Sequence, residues 1–207
     1  MREKDPQESA GADEDALLMQ RVGRGDRGAF ARIYDRNASS VVNFAYRFVQ
    51  NRARAEELAQ EIFLKLFRSA SAYTPTARFK TFLFRIAANH CLNERRRGEY
   101  QADHVSEEAA GAAVIGEVGP DQVLDGRRLE AALAQALSEL TERERAAFAM
   151  CRFEGLAYRE IAQALDCSEP AIKSLIHRAT VAVAKRLTPV VGDNPLGATR
   201  KAKEATP

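Results

Sequence analysis

The sequence has no uninterrupted apolar run long enough to cross a bilayer, and its first residues lack the apolar segment of a signal peptide. We therefore expect a cytoplasmic protein. It has only three cysteines, Cys91, Cys151 and Cys167, which are far apart and lie in helical apolar patterns, so we interpret them as reduced core residues. No CxxC or HxxxH spacing accompanies the three histidines, and we predict no metal site and no cofactor.

The motifs of several enzyme classes are also missing. We find no phosphate-binding loop, no nucleophile elbow and no paired carboxylates in a glycine-rich setting. The sequence therefore predicts no catalytic residue and no small-molecule substrate.

Lysine and arginine are absent from residues 99–126, where seven acidic residues accompany many alanines and glycines. This composition is typical of a flexible linker, or of a plain spacer between two domains. With 207 residues the chain can bury one or two cores. We predict an all-α protein in which a helical domain at 13–98 and a second at 127–188 flank this linker. The polar ends, 1–12 and 189–207, are predicted to be disordered.

The segment from Phe79 to Arg97 contains no proline or glycine and ends in three arginines, which predicts a helix. One face is polar and basic, and it carries Phe82, Arg85, Asn89, Asn93 and Arg96. Aromatic rings, amides and guanidinium groups together suit single-stranded nucleic acid, although a basic amphipathic helix is more often an ordinary surface helix. The opposite face is apolar and is predicted to pack on the domain; it carries Leu83, Phe84, Ala87 and Cys91.

The preceding helix, predicted from about Arg54 to Ser69, separates apolar from polar residues in the same way. Its predicted buried residues are Leu58, Ile62, Phe63, Leu66 and Phe67. Its outward polar residues are Glu57, Gln60, Glu61 and Lys65. The proline-containing stretch from Ser71 to Arg78 is predicted to be a loop.

The second domain has the pattern of a helix-turn-helix. Thr141 and Glu144 form a capping box, a short amphipathic helix from Tyr158 to Leu165 follows, and Ser168 can cap the last helix. That helix carries a basic face suited to the major groove, although a protein-binding domain with a solvated basic face is the alternative. The polar residues on this face are Lys173, Ser174, His177, Arg178 and Lys185.

Five segments together resemble the extracytoplasmic-function (ECF) sigma factors, the two-domain members of the bacterial sigma-70 family. They are AEELAQEIFLKLF (55–67), FKTFLFRIAAN (79–89), LSELTERER (137–145), EGLAYREIA (154–162) and AIKSLIHRA (171–179). Some positions depart from the family pattern: Phe82 stands where tryptophan is common, Leu175 and Thr180 where arginine is common, and Asp166 where glycine is common.

The resemblance implies three sets of site residues. Binding and melting of minus-ten DNA would use Tyr73, Arg78, Lys80, Phe82, Phe84, Arg85, Asn89, Asn93 and Arg96, with Tyr73 stacking on a flipped base and Asn89 contacting its edge. Minus-thirty-five DNA would be bound by Arg159, Lys173, Ser174, His177 and Arg178. Core RNA polymerase would be bound by Glu57, Gln60, Glu61 and Lys65.

The resemblance also implies the partners: the clamp and flap of core RNA polymerase, promoter DNA, and an anti-sigma factor, which would hold the protein at the membrane if it is membrane-bound. Two other classes stay open. One is a stand-alone helix-turn-helix regulator that binds duplex DNA as a dimer, and the other is a protein-interaction adaptor with no DNA role.

Overall fold

A computed structural model describes the backbone of residues 6–102 and 120–191 and the side chains of residues 14–94 and 128–189. Every regular element in these ranges is a helix, which confirms the predicted all-α class. In the first domain, α1 is Pro6–Gly23, α2 is Arg27–Val49, α3 is Arg52–Ser69 and α4 is Phe79–Ala102, with a 3-10 turn at Ala70–Ala72. In the second, α5 is Pro120–Ser138, α6 is Glu142–Arg152, α7 is Tyr158–Leu165 and α8 is Glu169–Val191.

Several helices extend beyond their predicted ends. Helix α1 begins at Pro6 instead of Asp13, and α4 and α5 extend into both ends of the predicted linker. The segments at 6–12 and 120–126 contain few large apolar residues, so they lack the apolar periodicity that marks a helix, although proline is favourable in a first turn. The linker prediction for 103–119 and the disorder predicted for 1–5 and 192–207 concern residues outside the described ranges.

The core of the first domain is formed by the apolar faces of α1 to α4. The rings of Phe44 and Phe84 meet edge to face with centroids 5.2 Å apart. The predicted inner face of α4 is confirmed, since its four apolar residues are fully buried. Burial raises the pKa of the Cys91 thiol to about 12, which keeps it protonated and unreactive. Phe67, predicted to be buried, is instead 42% exposed.

The second domain contains the predicted helix-turn-helix. Asp166 ends α7 in the left-handed conformation with φ of 50°, which aspartate tolerates better than most residues. The turn therefore forms without the glycine common in the family. At the start of α8, the Ser168 hydroxyl accepts a hydrogen bond from the Ala171 amide at 3.4 Å. The Thr141 and Glu144 capping box is also present.

A buried arginine holds the end of α5. Arg145, only 1% exposed, donates hydrogen bonds to the carbonyls of Leu137, Ser138 and Leu140 at 2.6, 3.0 and 3.1 Å. The last carbonyls of a helix have no partner within it, so a guanidinium group with several donors is well suited to satisfy them. Sequence patterning had not distinguished this arginine from the surface charges around it.

The two domains pack directly against each other. Helix α4 lies against α7, and α2 lies against α6. Buried apolar side chains of both domains, including Phe84 and Met150, belong to one continuous cluster. The contact between the domains is therefore partly hydrophobic, and it brings the second domain next to the loop before α4.

Candidate nucleic-acid interface

The loop before α4 and the first turns of α4 form a cavity of about 490 Å³. Its lining residues are Ala72, Tyr73, Thr74, Thr76, Ala77, Thr81, Phe82, Arg85 and Gln163. The volume lies within the range of about 300–1,000 Å³ that is usual for small-ligand pockets. Hydroxyl, amide and guanidinium groups stand beside aromatic rings in this cavity, a combination suited to an unstacked base.

Tyr73 and Phe82 form the aromatic wall of the cavity. Their ring centroids are 4.9 Å apart, and the Arg85 guanidinium lies 5.2 Å from the centroid of Phe82. The Tyr73 hydroxyl is buried without a hydrogen-bond partner, and burial raises the pKa of its phenol. A buried polar group without a partner is costly, so a rearrangement of the loop that exposed this hydroxyl would remove that cost.

Other residues predicted for minus-ten DNA differ in where their side chains lie. Asn89 and Asn93 are exposed on the face of α4 that also carries Arg85. Phe84 is fully buried against Phe44, so its predicted contact with DNA is wrong. The helix places it on the inner face, where it contributes to the core. The side chain of Arg96 lies outside the described ones.

Acidic residues of the second domain pair with the basic residues of the loop and α4. Lys80 Nζ lies 3.4 Å from Glu154 Oε2, and the Glu154 side chain is only 4% exposed. Arg78 and Thr81 donate to Oε1 of Glu160 at 3.5 and 3.3 Å. Gln163 of α7 completes the cavity wall. In this conformation the carboxylates of Glu160 and Glu154 therefore contact Arg78 and Lys80, the basic groups that were predicted to contact DNA.

Contacts on α2 strengthen the packing between the domains. The Arg47 guanidinium lies 3.7 Å from the centroid of the Phe153 ring, and burial lowers the pKa of Arg47. The Gln50 amide donates to the carbonyl of Ala134 at 3.0 Å. Cation–π contacts of partly desolvated groups are among the stronger of their kind.

The predicted DNA-reading face of the helix-turn-helix is open to solvent. Arg159, Lys173, Ser174, His177 and Arg178 are all exposed. Arg178 is held by Glu144, with Nε 2.6 Å from Oε1. Burial raises the pKa of Glu144, but hydrogen bonds from Arg178 and Thr141 outweigh this effect and lower it overall.

The residues predicted to bind polymerase lie together on α3. Glu57, Gln60 and Lys65 are exposed and Glu61 is half-buried. Arg54 lies beside them, 2.8 Å from Glu57 and 3.4 Å from Glu61. The result is a patch of mixed positive and negative charge on the outer face of the helix.

Within the described parts of the chain, no group of three or more histidine, cysteine or acidic side chains could hold a metal ion. None of the helices in 6–102 and 120–191 has the length and apolarity needed to span a membrane.

Comparison with known proteins assigns the family. Residues 33–99 match the model of sigma-70 region 2, and residues 130–182 match the model of sigma-70, region 4. The RNA polymerase sigma-H factor of Pseudomonas aeruginosa is 31% identical over 186 residues, which cover 86% of this chain and 96% of that protein. The chain belongs to the sigma-70 family, in its ECF group.

Two further relatives agree with this assignment. The ECF RNA polymerase sigma-E factor of Escherichia coli is 28% identical to this sigma factor over 184 residues, with 86% of this chain and 96% of that one covered. The sigma factor RpoE of Bartonella quintana, solved with the anti-sigma factor NepR, has the same fold with a TM-score of 0.62. That match has 22% identity and covers 77% of this chain and 96% of the solved one. Sigma factors are initiation factors without enzymatic activity, so the prediction of a non-enzyme is confirmed.

Sequence reasoning missed that Glu154, Glu160 and Gln163 meet the loop and the first turns of α4. All three lie about 80 residues along the chain from the residues that they meet. A helical pattern reports which residues share a face, but not which distant segment that face meets. The sequence position of Glu160 indicates only its local role, in which its carboxylate accepts a hydrogen bond from the Ala157 amide at the start of α7.

Proposed function

We propose that this sigma factor binds core RNA polymerase, recognises minus-thirty-five and minus-ten promoter elements and assists promoter melting. The observation that carries this proposal is the cavity between the Tyr73 loop and α4. A base flipped out of the duplex loses a few kcal/mol of stacking, which a site with aromatic and polar walls can return. Tyr73 would stack on the base, Asn89 would contact its edge, and Arg78, Lys80, Arg85 and Asn93 would contact the strand.

The second domain would bind the minus-thirty-five duplex through the exposed residues of α7 and α8. Lys173 and Arg178 suit phosphate contacts, and Ser174 and His177 suit base edges. Arg159 stands where it could hold the backbone. Phosphate contacts would set affinity and its salt dependence, and base-edge contacts would set sequence preference.

Two protein partners complete the proposal. The patch of Glu57, Gln60, Glu61 and Lys65 would dock on the polymerase clamp, and the second domain would meet the flap. An anti-sigma factor is proposed as the inhibitor, in agreement with the Bartonella quintana structure, where such a factor is bound to a sigma factor of the same fold. Acting with polymerase on chromosomal DNA, the protein would work in the cytoplasm, or at the membrane when held by a membrane-bound inhibitor.

The packing of the two domains adds a requirement to this function. Glu154 and Glu160 neutralise Lys80 and Arg78, and Gln163 narrows the cavity. DNA and these carboxylates cannot occupy the same basic groups at once. We therefore propose that the domains separate before the minus-ten strand binds.

Run-off transcription with purified core polymerase on genomic fragments tests the proposal. Tyr73→Ala and Asn89→Ala should reduce promoter opening, measured by permanganate reactivity of unpaired thymines, while polymerase affinity stays unchanged. Asn43→Ala is the matched control, since Asn43 is an exposed asparagine on α2, a helix that contributes no residue to the cavity lining. Absence of any promoter-dependent transcript, or binding to a palindromic operator without polymerase, would contradict the proposal.

A further inference from the structure

His90 lies on α4, but it belongs neither to the polar and basic face of this helix nor to its apolar face. Its side chain is 6% exposed and is directed at α3. Its Nδ1 is 2.7 Å from Nζ of Lys65, and its Nε2 is 2.8 Å from Oε2 of Glu61. The imidazole therefore bridges two oppositely charged residues that are one helical turn apart.

The donor and acceptor properties of Lys65, His90 and Glu61 indicate which ring nitrogen of His90 carries the hydrogen. A lysine ammonium group can only donate, so Nδ1 of His90 accepts from Lys65. The neutral ring then carries its hydrogen on Nε2 and donates it to the carboxylate of Glu61. Both ring nitrogens are used, which fixes the tautomer and the orientation of the ring.

A second residue of α4 acts on the same face of α3. Glu94, one turn after His90, forms an ion pair with Arg54, which also reaches Glu57 and Glu61. The hydrogen bonds that Arg54 donates to Glu57 and Glu94 raise its pKa, so the guanidinium stays charged. Two residues of α4 thus hold the charged side chains on the outer face of α3 in one arrangement.

We infer that His90 is a positioning residue for polymerase docking. It holds the side chains of Glu61 and Lys65 in the arrangement that binds a polymerase surface of complementary charge. This inference rests on the proposed docking role of α3. Long charged side chains lose rotamer freedom when an interface forms, and a partner that orders them beforehand reduces this loss. His90 does not itself contact the polymerase in this proposal.

The test compares two variants of His90. His90→Leu keeps the buried volume but removes both hydrogen bonds, and His90→Gln keeps one acceptor and one donor. Titration of labelled protein with core polymerase should show roughly tenfold weaker binding for His90→Leu, since two side chains lose their order, and near-normal binding for His90→Gln. Thermal unfolding checks that both variants fold, and affinity for single-stranded promoter DNA should not change.

A double-mutant cycle with Glu61→Gln separates positioning from a general structural effect. If His90 acts through Glu61, His90→Leu should weaken binding much less when Glu61 is already glutamine. Equal losses in both backgrounds would overturn the inference. If His90→Leu does not fold, His90→Asn, whose side chain is too short to span both partners, replaces it in the cycle.

The same data distinguish this inference from the proposed function. If Glu61→Gln and Lys65→Met leave polymerase affinity unchanged, the docking face itself is wrong. If these two variants weaken binding but His90→Leu does not, only the positioning role is overturned.

Discussion

The substitution Glu160→Gln tests whether the second domain restricts access to the DNA-binding loop. The two carboxylate oxygens of Glu160 have separate partners: Oε2 accepts the Ala157 amide at 2.8 Å, and Oε1 accepts from Arg78 and Thr81. A glutamine has one oxygen, which can keep the helix cap, and its NH₂ group cannot accept from Arg78. The variant should therefore preserve α7 and weaken only the contact between the domains.

The size of the effect follows from the exposure of the pair. The side chains of Arg78 and Glu160 are 31% and 14% exposed, so solvent screens the ion pair and its loss costs about 1 kcal/mol. Loss of the Thr81 hydrogen bond adds about 1 kcal/mol or less. A total of about 1–2 kcal/mol changes the ratio of closed to open molecules by a factor of roughly 5–30. If the closed form dominates, the apparent affinity for DNA rises by a similar factor.

The assay is fluorescence anisotropy of a labelled single-stranded minus-ten oligonucleotide, taken from a promoter found by run-off transcription, with the free protein. Glu139→Gln is the matched control because it removes the same charge from the same domain, where Glu139 pairs with Arg186 at 2.7 Å. Equal affinities for both variants and the unaltered protein would refute the idea that closure limits DNA binding. Tighter binding by both variants would show a general charge effect instead.

Three further predictions concern buried groups. Burial raises the pKa of Glu154 above its usual value of 4.5, and Lys80 opposes this shift. The closed form therefore holds the Glu154 proton more tightly than the open form, so acid favours closure and closure weakens as the pH rises through the raised pKa. DNA affinity should rise over the same pH interval, and Glu154→Gln should abolish this pH dependence. Phe84→Ala should cost about 3–5 kcal/mol in urea unfolding because it empties a core site, whereas Phe82→Ala, at the half-buried cavity wall, should cost less and mainly impair promoter opening. Arg145→Met should lower stability by about 2–4 kcal/mol, since three hydrogen bonds to the end of α5 are lost, and an unchanged urea midpoint would contradict this account.

The comparison of sequence and structure is clearest on α4. Periodicity correctly placed Leu83, Ala87 and Cys91 inside and Asn89 outside, because spacing along a helix determines which side chains share a face. It also placed Phe84 inside, whereas the resemblance to the family gave this ring a role at melted DNA. The contact with Phe44 on α2 shows that the ring belongs to the core.

The sequence by itself determined the helices, their caps and the helix-turn-helix, since these depend on residues three or four positions apart. Its motifs also determined the family. Only the tertiary structure determined the partners of the buried polar side chains. Arg145 binds the end of α5, His90 lies between Glu61 and Lys65, and Glu154 lies beside Lys80. A buried polar side chain needs a partner, and that partner usually comes from another segment. Pairings between distant segments leave no local pattern, so these contacts appear only when the helices are packed together.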